Sequence, residues 1–568
     1  MCGIAGIIGK NAAEAILDNM LLTQKHRGPD HTGKYVDNGA VLGHNRLSII
    51  DLSANANQPF FSKDKHYVLV YNGEIYNYLE IKEELQQTYD FETVSDTEVL
   101  LAAYLMWGSA CLSRLNGMFS FAVWDTKKQS LFAARDRFGV KPFYYIQRDS
   151  SFYFASEIKT LFAAHISQVP NKKVWASYFA FGSYGQPDES FWEGIKQLPG
   201  GHSLLYEGEN LKVQKWYYFE EEVKKHQAQL PFEEVKETYR KLLEDSIKLR
   251  FRADVPIGFN VSGGLDSSLL LSLVNRIENG KNISAYTFYT GNANYDELTW
   301  VEDLIQNTQN PLHKVRLDSD EVKALSNTMA LSQDEPFGGV PTMAYAKIFK
   351  EARKNGIKVL LDGQGMDEQW AGYDYYLQKS GNEIQGVNKS PLRPEVLAPS
   401  FLELAEKPDY PKPFNDDVLN LQYRDLFYTK IPRALRFNDR ISMAASTELR
   451  EPFLDYRLVE LAFVQPLEYK IKEGIQKYLL RSLVSEYLSD TIRLAPKRPL
   501  QTPQREWLAN DLKDWVQTEI ATIEGHEWFK IGEVEKQLNS YFEGDQDSSF
   551  HIWQWVNFAL LMNKNKNR

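Results

Sequence analysis

At 568 residues the chain is too long for one ordinary core, which sets an expectation of about two to four domains. A hydrophobic share of 43% beside 25% charged residues is that of a globular protein, and a net charge of −11 with no basic block before the Lys-Asn-Lys-Asn-Arg tail argues against nucleic acid as a partner. Only Cys2 and Cys111 are present for disulfides, no run approaches the roughly 18 apolar residues of a membrane span, and the apolar start meets Lys10 too early for a signal peptide, so a cytoplasmic protein with no membrane partner is expected.

Cys2 directly follows the initiator methionine. Once Met1 is removed, one residue carries a thiol and an α-amine with ordinary pKa values of about 8.5 and about 8, so nucleophile and base coexist near neutral pH. That is the N-terminal nucleophile arrangement, although most cysteines are small buried hydrophobes. Ala12 to Leu22 has helical spacing. After it come Lys25-His26-Arg27-Gly28-Pro29-Asp30, Gly43-His44-Asn45-Arg46-Leu47-Ser48-Ile49, Tyr71-Asn72-Gly73-Glu74-Ile75-Tyr76-Asn77 and Ser95-Asp96-Thr97-Glu98. Taken singly, Asn72-Gly73 reads as a hairpin turn and Arg46 as a surface ion pair. In this order the strings resemble the class II glutamine amidotransferase domain. The resemblance implies an N-terminal nucleophile hydrolase αββα sandwich over residues 2–218, in which Cys2 attacks the side-chain amide of glutamine. It also implies an oxyanion hole from Asn72 and the Gly73 N–H. Arg46 would hold the glutamine α-carboxylate in a bidentate pair, and Asp96 with the Glu74 region its α-amine. Glu98 to Trp107 is apolar on all sides, as a helix between layers should be. Met118–Trp124 and Ser130–Arg135 read as a hairpin, and 135–142 as a charged structural loop.

Composition turns polar from Glu220 to Gln229, which places a boundary near 220–232 and a second domain at 232–568. Phe232 to Leu249 has helical spacing. Ile257 to Val261 then reads as a short buried strand that turns through Ser262-Gly263-Gly264-Leu265-Asp266-Ser267-Ser268 into an apolar helix. Such a turn aims free N–H groups at one point, and glycines let a phosphate approach the backbone. No Gly-Lys-Ser/Thr follows, so the Walker A pattern is absent. Asp266 beside phosphates calls for a divalent cation, read as Mg²⁺. The string resembles the pyrophosphate-binding loop of the ATP pyrophosphatase family. Strands at Ile283–Phe288, His313–Leu317 and Ile357–Leu361, with a helix at Leu298–Ile305, predict a doubly wound parallel sheet with ligands at the carboxyl ends of its strands. At one such end lies Asp362-Gly363-Gln364-Gly365-Met366-Asp367-Glu368. Asp334-Glu335-Pro336 is a milder acidic site that reads equally as a helix N-cap followed by proline.

Asp439-Arg440-Ile441-Ser442-Met443-Ala444, Glu448-Leu449-Arg450-Glu451-Pro452-Phe453-Leu454-Asp455, Gly474-Ile475-Gln476-Lys477-Tyr478-Leu479-Leu480-Arg481 and Pro496-Lys497-Arg498-Pro499 complete the pattern. With the first domain ahead of them, these strings resemble the synthetase domain of glutamine-dependent asparagine synthetase. The resemblance runs from Cys2 to about Pro503. It implies ATP and pyrophosphate binding by Ser262, Gly263, Gly264, Asp266, Ser267 and Lys477, with Mg²⁺ on Asp266 and Asp367. Aspartate or its adenylate would lie against Gly363, Gln364, Asp367 and Glu368. Cys2, Asn72, Gly73 and Lys477 would carry the chemistry. The expected reaction is ATP-driven amidation of aspartate by glutamine, giving AMP, pyrophosphate and glutamate. The alternative keeps the chemistry and changes the acceptor to a carboxylate on a sugar or peptide precursor of a surface polymer. A non-catalytic regulatory descendant is argued against by the intact Cys2, Arg46, Asn72, Asp266 and Asp367. A homodimer is the assembly considered. One departure stands out: the type pattern has Ser-Gly-Glu-Gly-Ser-Asp-Glu, and its Glu, a candidate base for the attacking ammonia, is here Gln364, which is no useful proton acceptor. Phosphate oxygens, pyrophosphate or a neighbouring carboxylate such as Asp362 are the expected substitutes.

Overall fold

The computed structural model describes residues 2–226, 230–277, 280–378, 390–495, 502–523 and 525–565. In the first half, β1 (Gly3–Gly9), α1 (Glu14–Thr23), β2 (Ala40–Arg46), β3 (Tyr67–Ile75), α2 (Asp96–Trp107) and β4 (Gly117–Asp125) position the site. Two six-stranded antiparallel sheets stack on each other. One runs Lys196–Gln197, Tyr144–Arg148, Ser151–Ala155, β1, β2, His31–Asp37. The other runs Asn210–Lys215, His202–Glu207, Ser130–Arg135, β4, β3, Phe60–Phe61.

The two-residue period of each strand decides what it touches. In β1, Ile4 and Ile8 enter the core between the sheets with Leu42, Val70 and Trp124, while Ala5 and Ile7 turn to Leu17 and Leu21 of α1. In β3, Val68 and Val70 face the same inter-sheet core, while Leu69 and Tyr71 pack with Leu100 and Ala103 of α2. Helix, sheet, sheet and helix follow in that order, an αββα sandwich. Asn72-Gly73 is mid-strand, opposite Ser120 and Phe119 of β4, and not a hairpin turn. The α2 start is fixed by Ser95, which accepts the Thr97 N–H at 3.2 Å, and by Glu98, which accepts the Thr93 N–H at 2.6 Å.

In the second half, β5 (Ile257–Asn260), α3 (Leu265–Ile277), β6 (Val359–Leu361), α4 (Lys430–Ala444) and β7 (Glu448–Arg450) carry the chemistry. The five-stranded sheet is parallel throughout, in the order Leu312–Arg316, Ala285–Tyr289, β5, β6, β7. The chain winds outward from β5 to one edge and then crosses back to β6. The carboxyl ends of β5 and β6 therefore flank the topological switch point, where doubly wound sheets open a crevice. Helix α4 spans 15 residues, roughly 22 Å, and reaches from that crevice to the first half of the chain.

The halves meet over buried charge. Asp334-Glu335-Pro336 is neither an N-cap nor an open acidic site. Asp334 follows the helix Val322–Gln333 in a left-handed conformation and accepts the Lys159 N–H at 3.1 Å. Glu335 accepts the Phe191 N–H at 2.9 Å and pairs with Arg436 at 3.0 Å, while the next helix begins only at Val340. Pro336 sits in the connection between them, too far from the next first turn to start it. No helix among the described residues is long and apolar enough to cross a membrane.

Candidate functional site

Cys2 immediately precedes β1 and is 8% exposed. Its N–H donates to Asn72 Oδ1 at 2.9 Å, and its carbonyl accepts from Arg27 Nε at 3.0 Å. Asn72 is fully buried, and its Nδ2 has no hydrogen-bond partner among the described residues. An unsatisfied buried donor costs free energy, so one held beside a thiol marks a place where an oxygen is to arrive. Burial pushes the Cys2 thiol up, while the amino-terminal charge, the Leu47 N–H and Arg46 pull it back. The Arg46 guanidinium braces the 50–57 loop, donating to Ser53 O at 2.7 Å, Asn57 Oδ1 at 2.8 Å and the Asp51 carbonyl. Asp96 Oδ2 accepts from Tyr71 Oη at 2.9 Å and the Ile75 N–H at 3.0 Å. Thus Cys2, Arg46, Asn72, Gly73, Glu74 and Asp96 come from just before β1 and from β2, β3 and α2, and converge on one corner.

Two residues of that corner entered the sequence reading only as part of a synthetase-domain string. Arg450 of β7 lies 3.6 Å from Glu74 and donates to Glu448 at 2.6 Å, both residues being fully buried. Burial, Glu448 and Asp96 push Glu74 well above the carboxylate range, against the pull of Arg450. Burial opposes ionisation of Glu448 too, but the amino-terminal charge and Arg450 outweigh it, so Glu448 carries the negative charge. The second half of the chain thereby supplies one wall of the cysteine pocket. Arg27 makes the other link, donating to Glu157 at 2.9 Å and to both oxygens of Asp439 at 2.8 and 3.1 Å. Asp439 lies on α4, so the Cys2 carbonyl is tied through one guanidinium to the helix that reaches the switch-point crevice. Charges in an otherwise apolar strand or helix were the available signal, but nothing local told where they point.

The crevice is a cleft of about 520 Å³. Ser262, Gly263, Gly264, Asp266 and Ser267 line one side, and Gly363, Gln364, Asp367 and Glu368 line the facing side. Gly263 has φ +72 and is pressed against Trp300, a conformation and a closeness that exclude a side chain. Lys477 enters from the far wall. Its Nζ is 2.6 Å from Asp266 and 2.6 Å from Asp367. Lys477 holds φ +54, costly for a residue with a Cβ, and Gly372 leaves no room for one where Lys477 and Asp367 meet. Burial disfavours the Lys477 charge, but the two carboxylates outweigh it and raise its pKa. Pro496-Lys497-Arg498-Pro499 lies outside the described residues.

Two aspartates fixed around one cation form a donor set that a hard divalent ion takes when phosphate oxygens and water complete its shell. Among the described residues no group of three His, Cys, Asp or Glu could hold a metal alone. The residues therefore fit Mg²⁺ brought in with a phosphate ligand, on Asp266 and Asp367.

Behind Gln364, Asp362 is 5% exposed, and burial pushes it up to about 6 against the pull of its Gly363 N–H. Glu451, just past β7, is equally buried, and its side chain has no hydrogen bond or ion pair among the described residues. Burial pushes it up to about 8, with Lys141 pulling down and Asp362 pushing up. A carboxyl raised on folding binds its proton more tightly in the native state, so stability falls as pH climbs from the unfolded value towards about 8. Glu451→Gln removes that term. Melting temperatures of wild type and variant, measured from pH 5 to 8, are expected to diverge in favour of the variant as pH rises. Parallel curves would show that Glu451 is not raised.

The sequence pattern of the glutamine amidotransferase domain matches residues 1–217, and that of asparagine synthase matches residues 238–563. Glutamine-hydrolysing asparagine synthetase 3 of Bacillus subtilis is 29% identical over 91% of this chain and 90% of its own. Asparagine synthetase 2 of the same organism is 31% identical over 88% of this chain and 71% of its own. A Penicillium rubens protein named amidase chyE is 28% identical over 86% of this chain and 85% of its own. With the cysteine corner at one end of α4 and the switch-point cleft at the other, this chain belongs to the asparagine synthase family and carries a glutamine amidotransferase domain ahead of the synthase domain.

Proposed function

We propose that this protein moves the amide nitrogen of glutamine onto the β-carboxylate of aspartate at the expense of ATP, giving asparagine, glutamate, AMP and pyrophosphate. The observation that carries this reading is that one strand, β7, walls the cysteine corner through Glu448 and Arg450 and lies beside the strand that ends in the cleft. In the first domain, taken as residues 2–218, the α-amine of Cys2 accepts the thiol proton and Sγ attacks the glutamine amide. Asn72 Nδ2 and the Gly73 N–H stabilise the oxyanion. Arg46 receives the α-carboxylate, and Asp96 with Glu74 the α-amine. Ammonia leaves, and water releases glutamate from the thioester. In the second domain, residues 232–568, the Ser262–Ser267 loop and Lys477 hold the ATP phosphates. Asp266 and Asp367 would hold Mg²⁺, which would neutralise phosphate charge. A carboxylate oxygen of the acceptor attacks the α-phosphorus and expels pyrophosphate. Ammonia then attacks the adenylate carbonyl and AMP leaves. Activation is required because a carboxylate is a poor electrophile. The nitrogen must pass between sites unprotonated, which a buried interface favours.

A product assay with glutamine, MgATP and a panel of carboxylates tests the whole reading. Asparagine is expected with aspartate. Pyrophosphate release with a sugar or peptide carboxylate, and none with aspartate, would replace the acceptor; Gln364 and the likeness to amidase chyE are what favour this second reading.

The proton lost when ammonia attacks needs an acceptor that Gln364 does not provide. Asp362, which interacts with the Gln364 side chain and is raised towards neutrality, is the carboxylate proposed to take it. Gln364→Glu is expected to leave adenylation intact and to alter only the amide-forming step, by no more than the roughly 10²–10⁴-fold that general-base catalysis contributes. Pyrophosphate formed is compared with asparagine formed. A wild type that releases pyrophosphate with aspartate yet makes no asparagine, while Gln364→Glu makes it, would rule out a substitute base.

A further inference from the structure

Two cations in the cleft have no part in the chemistry above. Lys430 and Arg433 stand one turn apart at the start of α4 and both line the cleft, Lys430 near Glu368 and Tyr373. The other described cations of the cleft are already satisfied: Lys477 by Asp266 and Asp367, and Arg481 by the Gln476, Arg493 and Ala495 carbonyls. The Lys430 and Arg433 side chains have no hydrogen bond and no ion pair among the described residues. Aromatic faces alone support them, with Lys430 Nζ 5.2 Å from the Tyr373 ring and 5.5 Å from Tyr375, and Arg433 5.5 Å from Tyr184. The carboxylates that Lys430 senses are occupied elsewhere. Asp425 accepts from Tyr375, Tyr376 and Thr429, and Glu368 accepts from Tyr373 at 2.7 Å. Burial and the like charge of Arg433 push Lys430 down to about 8. An anion placed between the two would relieve both effects.

We propose that Lys430 and Arg433 bind a second anionic group of the acceptor, so that the cleft selects a dicarboxylic amino acid, its amine on Glu368, over a monocarboxylate. This rests on the cleft's being the acceptor site, as proposed above. The physical reason for two anionic groups is that the reacting carboxylate loses its charge on adenylation. Fixed cations on that group would stabilise the ground state and oppose the reaction. On a carboxylate that stays ionised throughout, they bind substrate and transition state alike. Their loss should therefore raise KM and spare kcat.

The test is acceptor-dependent exchange of labelled pyrophosphate into ATP by the full-length protein, with aspartate, glutamate and β-alanine. β-Alanine keeps the amine and the reacting carboxylate but lacks the second anion. Lys430→Met and Arg433→Met are each expected to raise the KM for aspartate about tenfold or more, the loss of a charge-assisted hydrogen bond. The KM for ATP should be unchanged, and Arg433→Lys should restore most of the affinity. β-Alanine should exchange weakly and equally in all proteins. Undiminished glutaminase activity shows that each variant is folded. Equal use of β-alanine and aspartate by wild type would overturn the proposal, as would a rise in the KM for ATP in place of the acceptor's. If wild type accepts another dicarboxylate and not aspartate, the aspartate reading falls and this one stands. If wild type accepts aspartate and the Met variants match it, the aspartate reading stands and this one falls.

Discussion

Cys2→Ala is expected to abolish glutamine-dependent synthesis and to leave ammonia-dependent synthesis at the wild-type rate. No other thiol is available, since Cys111 is buried under α2 with its pKa pushed up to about 12 by burial. Asn72 Nδ2 and the Gly73 N–H can polarise a carbonyl, but without Sγ no thioester forms and the amide persists. The synthetase cleft keeps every residue that lines it, because Cys2 is not among them, and alanine retains the carbonyl through which Arg27 ties Cys2 to Asp439. The measurement is asparagine formed from aspartate and MgATP, with glutamine or with ammonium chloride as the nitrogen source. Loss of both activities in a protein with an unchanged melting curve would show that the two chemistries are not divided between the cysteine corner and the cleft.

Asp266→Asn and Asp367→Asn are each expected to eliminate aspartate-dependent pyrophosphate release while glutaminase activity continues. Two effects act in the same direction. A neutral amide oxygen is a weaker ligand than a carboxylate for a hard dication. Either change also leaves the buried Lys477 ammonium with one carboxylate where it had two, at 2.6 Å each, so its position over the loop is no longer fixed. Removing one partner of a buried charge cluster costs about 3–5 kcal/mol, so melting temperatures accompany the assay. Near-normal pyrophosphate release from a folded variant would remove that aspartate from the phosphate site.

Much of the site was legible because its chemistry is local. The turn from β5 through Ser262-Gly263-Gly264 into α3 follows from a few consecutive residues, and Gly263 sits where the backbone needs a positive φ. The αββα layering follows from alternation within β1 and β3, where neighbouring residues are sent to opposite faces. Strand and helix alternation after Pro231 likewise predicts the parallel sheet, and the crevice opens at the switch between β5 and β6. The Asp334-Glu335-Pro336 string misled, because a cap pattern states which backbone groups could be bonded and not which helix supplies them. In the folded chain those carboxylates serve Lys159, Phe191 and Arg436 instead.

What the sequence determined by itself was the set of reactive groups and their local backbone: Cys2 at the head of a strand, Asn72-Gly73, the loop at Ser262, and the acidic string after β6. What only the tertiary structure decided was the company those groups keep. Arg27 and Asp439 pair across 412 positions, and Lys477 meets Asp266 across 211. Glu448 and Arg450 leave their own sheet to wall the cysteine pocket. Lys430 and Arg433 reach the cleft from a helix whose far end holds Arg27. Turn geometry and strand alternation are set by neighbours along the chain. The partner of a buried charge is set by which faces pack against each other, because low dielectric surroundings make any unpaired charge costly and leave packing to choose among many partners that the sequence alone permits.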